Sequence, residues 1–421
     1  MVFILYISVI TFLFFINRKK FGKYINFPNL FNLIFLIVIL FSRLGLFNFN
    51  SASDKICYYM LISIISFNIF SFIFTSIRIK DEKNIKFDVN KKIFIFLSVT
   101  IFAIMLPTTI KSFSLILNGG LFAIRSEALS SDGLYSTKMK IIFLFILSPL
   151  NKAIYMYSLL QYFKTKKINI NIILSLLNCL QITCIFGGRS TIFDIFLISV
   201  VSIIIEYGTN ILNIMKKNKK MIIIFLALIS IIIFITSKRS LAGNKGFLFN
   251  LYSYYIGSIH LMDVHLENPN ISLLNNDNLL YGRAMFSPIE DMIKIVVQTL
   301  GIDYSWTTGI EKVNEIVQNY YYVSYYTKMN NNVTFLYVCL RDFGIFGLVL
   351  GPLYISIWYS IIYKLYKKSD KIKYKVMYIY ILSLMPYFIF EFTLNRLQNI
   401  MVFVFISLLY KFAYKRRKID G

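Results

Sequence analysis

The chain has 421 residues, 57% of them hydrophobic and 15% charged, with a formal net charge of +25 and a mean hydropathy of +0.66. That balance excludes an ordinary soluble domain, in which about 25% of residues are charged and apolar runs are shorter. It also argues against a nucleic-acid partner, because membrane topology accounts for where the basic clusters fall.

A helix needs about 20 mainly apolar residues to cross a bilayer, and it satisfies its own backbone there. Eleven apolar runs approach that length: 1–16, 29–47, 56–78, 93–110, 140–163, 168–186, 191–208, 221–237, 335–363, 376–393 and 398–414. The expected fold class is therefore all-α, a polytopic membrane protein with about 11 transmembrane helices and one integral membrane domain over residues 1–421. The basic cluster Arg18, Lys19, Lys20 and Lys23 follows the first run, with no small-residue cleavage site. That run therefore reads as a retained span rather than a signal peptide.

With the N-terminus outside, the inner side holds Arg18–Lys23, Arg78–Lys92, Lys164–Lys167, Lys216–Lys220, Lys364–Lys375 and Lys411–Lys418. Together these carry 28 of the 45 Lys and Arg. The positive-inside rule then fits every short loop. The C-terminus is cytoplasmic in this reading, and anionic membrane lipids are the partners of the inner lysines. The joint richness in Ile, Phe, Lys, Asn and Tyr is what an AT-biased coding sequence yields, so the lysine and tyrosine counts carry no functional weight.

Two outer segments interrupt the pattern. The first, 111–139, contains Arg125 and Glu127 and predicts a short helix on the membrane surface. The second, 238–334, is too apolar to be disordered, so it predicts short helices packed over the outer span ends. No strand alternation and no internal repeat is evident. The inner loops are too short for a nucleotide-binding domain.

Seven arginines fall on the outer side: Arg43, Arg125, Arg189, Arg239, Arg283, Arg341 and Arg396. Arginine presents a planar fork that grips phosphate bidentately, whereas lysine suffices for lipid and topology. Gly187-Gly188-Arg189-Ser190 joins two apolar runs with almost no loop. It reads either as a tight hairpin with one snorkelling arginine, or as an anion site with Ser190 capping the next helix. Lys238-Arg239 and Asn395-Arg396 also sit at outer span ends.

Asp342-Phe343-Gly344 follows the sequon-like Asn332-Val333-Thr334; Asn270-Ile271-Ser272 is a second such sequon. Asp342 either pairs with Arg341 or Arg283, or orients a sugar hydroxyl. His260, Asp263, His265 and Glu267 lie close together, but the histidines are five apart and do not share a helical face well. No metal site and no cofactor is therefore expected. His260 remains a candidate acid or base. Cys57, Cys179, Cys184 and Cys339 match no disulfide, zinc or redox spacing and read as small buried hydrophobes. Lys152 is the main mid-span charge, and such a charge needs a partner or a purpose.

Many spans, one large outer loop late in the chain and outer-face arginines together resemble the Wzy-type polymerases of O-antigen or capsule repeat units. The local matches are Gly187-Gly188-Arg189-Ser190, Tyr281-Gly282 with Pro288, and Asn332-x-Thr334 leading to Asp342-Phe343-Gly344-x-x-Gly347. The resemblance implies a bacterial cytoplasmic-membrane enzyme that polymerises undecaprenyl-pyrophosphate-linked oligosaccharides at the outer face. It implies a flippase and a chain-length regulator as partners, and no nucleic acid.

Carried over, Arg189, Arg239 and Arg396 bind pyrophosphate, Arg125 and Arg283 bind pyrophosphate or sugar, and Asp342 orients the acceptor. His260, Asp263 and Glu127 are the candidates for the base. Tyr320–Tyr322, Tyr325 and Tyr326 either stack on sugars or form an interfacial aromatic belt. The rival readings are a lipid-linked oligosaccharide flippase or other transporter and an O-antigen ligase.

Overall fold

The computed structural model describes residues 2–77, 87–89, 91–129, 136–208, 230, 233, 247–267, 278–302, 306–330 and 332–416. In chain order its helices are α1 (Val2–Phe21), α2 (Phe27–Arg43), α3 (Asp54–Ser76), α4 (Lys91–Leu129), α5 (Thr137–Ile141), α6 (Ser148–Thr165), α7 (Ile170–Phe186) and α8 (Ser190–Tyr207). There follow α9 (Phe247–Tyr255), α10 (Gly257–Glu267), α11 (Ser287–Thr299), α12 (Gly309–Val317), α13 (Phe335–Phe343), α14 (Gly347–Lys368), α15 (Ile372–Leu384) and α16 (Leu397–Ala413). Four short strands are β1 (Phe87–Val89), β2 (Tyr321–Ser324), β3 (Thr327–Met329) and β4 (Tyr414–Arg416).

Among the described residues, six helical stretches are long and apolar enough to cross a membrane: Val2–Phe21, Asp54–Ser76, Lys91–Ile116, Lys138–Thr165, Ser190–Tyr207 and Phe335–Lys368. Phe27–Arg43, Ile170–Phe186 and Leu397–Lys411 are shorter apolar helices. The run expected at 376–393 is not one helix. α15 stops at Leu384, and a 3-10 turn containing Pro386 takes over, because proline has no N–H to continue the ladder. Nearly all of the 221–237 run lies outside the described residues.

The chain divides into two compact units. The first comprises Met1–Lys80, Gly246–Lys368 and Leu384–Leu397. Its frame is α3 packed along α14, with α1 and α2 against α3. Aromatic rings fill it: Phe31 lies 4.2 Å from Phe67 and 6.2 Å from Phe388, and Phe35 lies 5.4 Å from Phe335, centroid to centroid.

One polar seam crosses this core. The Asn17 amide donates to Asn29 and to Asn68 at 2.8 Å each, and Asn68 donates to Asn32 at 2.9 Å. Linked amides satisfy one another where no water reaches. Local signals set the helix ends: Asn26 caps α2 by accepting from the Asn29 amide, and Ser53 caps α3.

The second unit comprises Asp81–Lys245, Ser369–Ser383 and Gln398–Gly421. Here α4 packs along α7, and α6 lies against α7 and α8. Asn178 donates to the Ser98 carbonyl at 3.1 Å, and Tyr157 donates to the Ile406 carbonyl at 2.9 Å. Lys152 is not a lone charge: its Nζ lies 2.5 Å from Asp194 Oδ2.

Two expectations change here. Residues 111–129 are not a separate surface helix, because α4 runs on unbroken from Lys91 to Leu129 despite Pro107. Strands do occur, as the antiparallel pairs β1–β4 and β2–β3; runs of three or four residues are too short to show an alternation in sequence. Among the described residues of the 238–334 segment, short helices α9–α12 occur as expected, but residues 321–329 form the β2–β3 hairpin instead of a helix.

Candidate functional site

The site lies in the first unit, where α10, β2 and α13 meet. Thr334 occupies the cap position of α13, which places Tyr337 and Arg341 one turn apart on the same face. The His265 ring, on α10, stands edge-on to Tyr321 at 4.6 Å and to Tyr337 at 5.1 Å. His265 and Tyr337 are fully buried, and Arg341 is 8% exposed.

None of these polar groups is satisfied. Both ring nitrogens of His265, the Tyr337 hydroxyl and Arg341 Nε have no hydrogen-bond partner. Among the described residues, Arg341 forms no ion pair. An uncompensated buried charge is costly. A guanidinium one helical turn from an open phenol, whose ring in turn meets an open imidazole, is an arrangement that an anion can complete. Burial also lowers His265 to about 4, so the ring is neutral near pH 7 and available to donate or accept one hydrogen bond.

Asp342, the next residue, takes another role than the expected one. Its carboxylate oxygens accept the Ala284 amide at 3.0 Å and the Met285 amide at 2.6 Å. Its carbonyl accepts the Tyr281 amide at 3.0 Å. The carboxylate thus fastens the tight 280–286 turn, where Tyr281 and Gly282 have φ of 50° and 91°. It pairs with neither Arg341 nor Arg283, and its oxygens are spent on backbone rather than free for a sugar hydroxyl.

The Gly344-x-x-Gly347 half of the motif is backbone geometry as well. Gly344 ends α13 at φ +56°, and a Cβ on Gly347 would meet the Cys339 carbonyl at 2.1 Å. Only glycine allows α14 to start that close to α13.

The other candidates in this unit are held by structural partners. Arg283 Nε donates to Glu290 at 2.7 Å, an Nη donates to the Thr307 carbonyl at 2.8 Å, and the guanidinium lies 4.8 Å over Trp306. Glu290 in turn accepts the Gly309 amide. This arginine therefore ties α11 to the start of α12 instead of facing an open site.

Arg396 pairs with Glu391 at 3.1 Å and remains partly exposed. Asp263 accepts both the amide and the hydroxyl of Ser53, which fixes α10 to the cap of α3. Burial raises Asp263, while Ser53, Arg43 and Lys55 oppose that shift. The His260 ring packs 5.1 Å from Phe49, and burial lowers it to about 4. Its Nε2 has no hydrogen-bond partner.

The remaining candidates belong elsewhere. Arg189 is in the second unit, at the cap position of α8, after Gly187 closes α7 at φ +56°. It caps with no side-chain bond, and Ser190 is the first helical residue rather than the cap. Glu127 is exposed on α4. Arg125 falls on the same helix, with its side chain outside the described residues. Arg239 also lies outside them, as does the 270–272 sequon; the 332–334 sequon has a fully buried Thr334. Among the described residues, no group of three or more His, Cys, Asp or Glu is placed to hold a metal ion.

Sequence reasoning counted Arg341 among the outer arginines but did not single it out, weighed His265 only as a metal ligand, and passed over Tyr337. The i, i+4 spacing of Tyr337 and Arg341 on a short apolar helix is a signal of a shared face. The pairing with His265, 72 residues earlier, has no local signature.

The chain is thus a mainly helical, multi-pass membrane protein in which, among the described residues, the buried Arg341 forms no ion pair. No family model matches it, and neither a curated protein nor a solved structure matches it.

Proposed function

We propose that this protein is a Wzy-type polymerase of undecaprenyl-pyrophosphate-linked oligosaccharide repeat units. In this reading it has about eleven spans in a bacterial cytoplasmic membrane, with the N-terminus outside, the C-terminus cytoplasmic and the 238–334 segment on the outer face.

The observation that supports the reading is Arg341, a buried guanidinium that pairs with no carboxylate among the described residues and lies one helical turn from the unsatisfied Tyr337. Transfer of a glycan chain to a new unit's hydroxyl releases lipid pyrophosphate, and charge builds on the leaving oxygen. A fixed arginine in a dry site stabilises that charge. Arg341 takes the lead role in this scheme, while the assignment of Arg189, Arg125 and Arg239 to pyrophosphate or sugar rests on the family resemblance alone. Glu127, exposed and on the outer side in this topology, is the remaining carboxylate candidate for the base. Energy comes from the pyrophosphate linkage, so no nucleotide site is required.

The test is a surface-glycan gel from the host lacking the gene, restored separately with wild type, Arg341→Ala, Arg341→Lys and Arg189→Ala. Wild type should restore the ladder. Arg341→Ala, inserted at normal levels, should leave core plus a single repeat, and lysine should rescue poorly because it cannot bind bidentately. A full ladder from Arg341→Ala would refute the assignment. Loss of even the single repeat on deletion would favour a flippase or a ligase.

A further inference from the structure

Helix α11 carries its amphipathic pattern inverted. Its acidic and basic residues turn toward protein: Glu290 is 8% exposed and holds Arg283 and the Gly309 amide, and Lys294 pairs with Glu311. Its apolar residues turn away from protein. Ile289, Met292, Ile293, Val296 and Leu300 are 46–70% exposed. Their spacing of 3, 4, 7 and 11 places them in one stripe along the helix. An apolar stripe of this length, with its charges paired on the other side, needs an apolar covering.

The start of the helix shows what that covering is. Phe286, the residue before α11, meets Tyr354 edge-on at 5.3 Å. Tyr354 lies about two turns into α14, within the Phe335–Lys368 span. The 280–286 turn is fastened to the same span through the Arg341 carbonyl and the Asp342 carboxylate. Beside this junction the span exposes Phe346 (72%) and Ile345 (49%). α11 therefore starts against an exposed apolar part of this span, and its stripe continues that apolar surface. Trp306, half exposed with Arg283 stacked on it, has the amphipathic character of a residue at the membrane–water boundary.

We propose that α11 is a membrane-embedded interfacial helix whose Ile289–Leu300 stripe is covered by the acyl chains of the bilayer. The segment around it is then a lipid-anchored part of the protein rather than a water-exposed loop. This does not rest on the polymerase reading: it requires only that the Phe335–Lys368 stretch crosses the membrane.

The test uses the full chain in vesicles of phosphatidylethanolamine and phosphatidylglycerol, with a nitroxide on Met292→Cys, Val296→Cys or Tyr325→Cys. Tyr325 is 88% exposed at the tip of the β2–β3 hairpin and serves as the aqueous control. Unsubstituted protein gives the background from the native cysteines. Collision with oxygen relative to a water-soluble nickel chelate should be severalfold higher at 292 and 296 than at 325. Equal nickel access at all three sites would overturn the proposal. So would spin–spin broadening at 292 that disappears on dilution with unlabelled protein, because a second copy would then be the covering. Should the cysteine variants fail to insert, Trp358→Phe leaves Trp306 as sole reporter. Brominated lipid should quench it, and quenching by aqueous iodide alone would count against the embedded helix.

Discussion

At the residue scale, Asp342 and His260 show how a chemically attractive side chain is absorbed into structure. Asp342 is a carboxylate saturated by backbone amides. Asp342→Ala orphans the Ala284 and Met285 amides, and each unsatisfied buried donor costs about 1–3 kcal/mol. Asp342→Asn keeps an accepting oxygen and should lose much less. Thermal unfolding in detergent should therefore rank wild type above Asn and Asn above Ala, with glycan-ladder activity following the same order. An Asn variant as stable as wild type but inactive would return Asp342 to the chemistry.

His260 makes a pH statement. Its folded pKa is lowered to about 4 by burial, against about 6.5 in an unfolded chain. The unfolded state thus gains protons first as pH falls. The stability that the neutral ring contributes is present above pH 6.5 and is lost progressively down to pH 4, about 3 kcal/mol in full. His260→Phe preserves the ring contact with Phe49 and should flatten the acid side of the stability profile by that amount. An unchanged profile would mean that the ring is not buried as described. His265 acts with the same sign.

At the scale of elements, the sequence was legible where length and punctuation decide. The runs at 56–78 and 191–208 became α3 and α8, because a long apolar stretch has one low-energy answer in lipid. The turn at Gly187 is a local signal and reads directly, whereas Ser190, read as a cap, is the first helical residue. The β2–β3 hairpin was not legible, since its two strands are short and tyrosine-rich in a chain already full of tyrosine. The α4 continuation past Ile110 was missed because Gly119-Gly120 suggested a break, and glycine inside a helix costs only about 1 kcal/mol.

Asp342-Phe343-Gly344-x-x-Gly347 was noticed, but as a possible site; its glycines serve a helix junction. Gly347→Ala should disrupt α13 and α14 together, because a Cβ would meet the Cys339 carbonyl at 2.1 Å. Gly344→Ala should cost the strain of φ +56° with ψ −141°, a combination that favours glycine strongly, about 1–3 kcal/mol. Comparing the two by thermal unfolding, with Gly347→Ala much the worse, checks that close backbone approach sets this junction. Equal losses would argue for strain alone.

At the scale of the whole molecule, the buried Arg341 of the first unit and the buried Lys152 of the second differ in their partners, and this bears on which reading of the function survives. The first unit leaves Arg341 without a counter-ion, which suits a site completed by an anionic substrate. The second unit pairs Lys152 with Asp194 between two apolar helices. A charge pair at that place is the feature a transporter would use, and it is also what simple compensation looks like.

Substitution separates the two. Lys152→Met or Asp194→Leu alone strands one buried charge and should destabilise by about 3–5 kcal/mol. The double substitution leaves an apolar contact of similar volume and should recover most of that loss. If the pair is structural, the double variant should fold and give a normal glycan ladder while both single variants fail to accumulate. A double variant that folds, inserts and yet abolishes even the single surface repeat would show that the charges themselves act in passage across the membrane. The protein would then be read as a carrier, with Arg341 holding the cargo's anionic group rather than a leaving group.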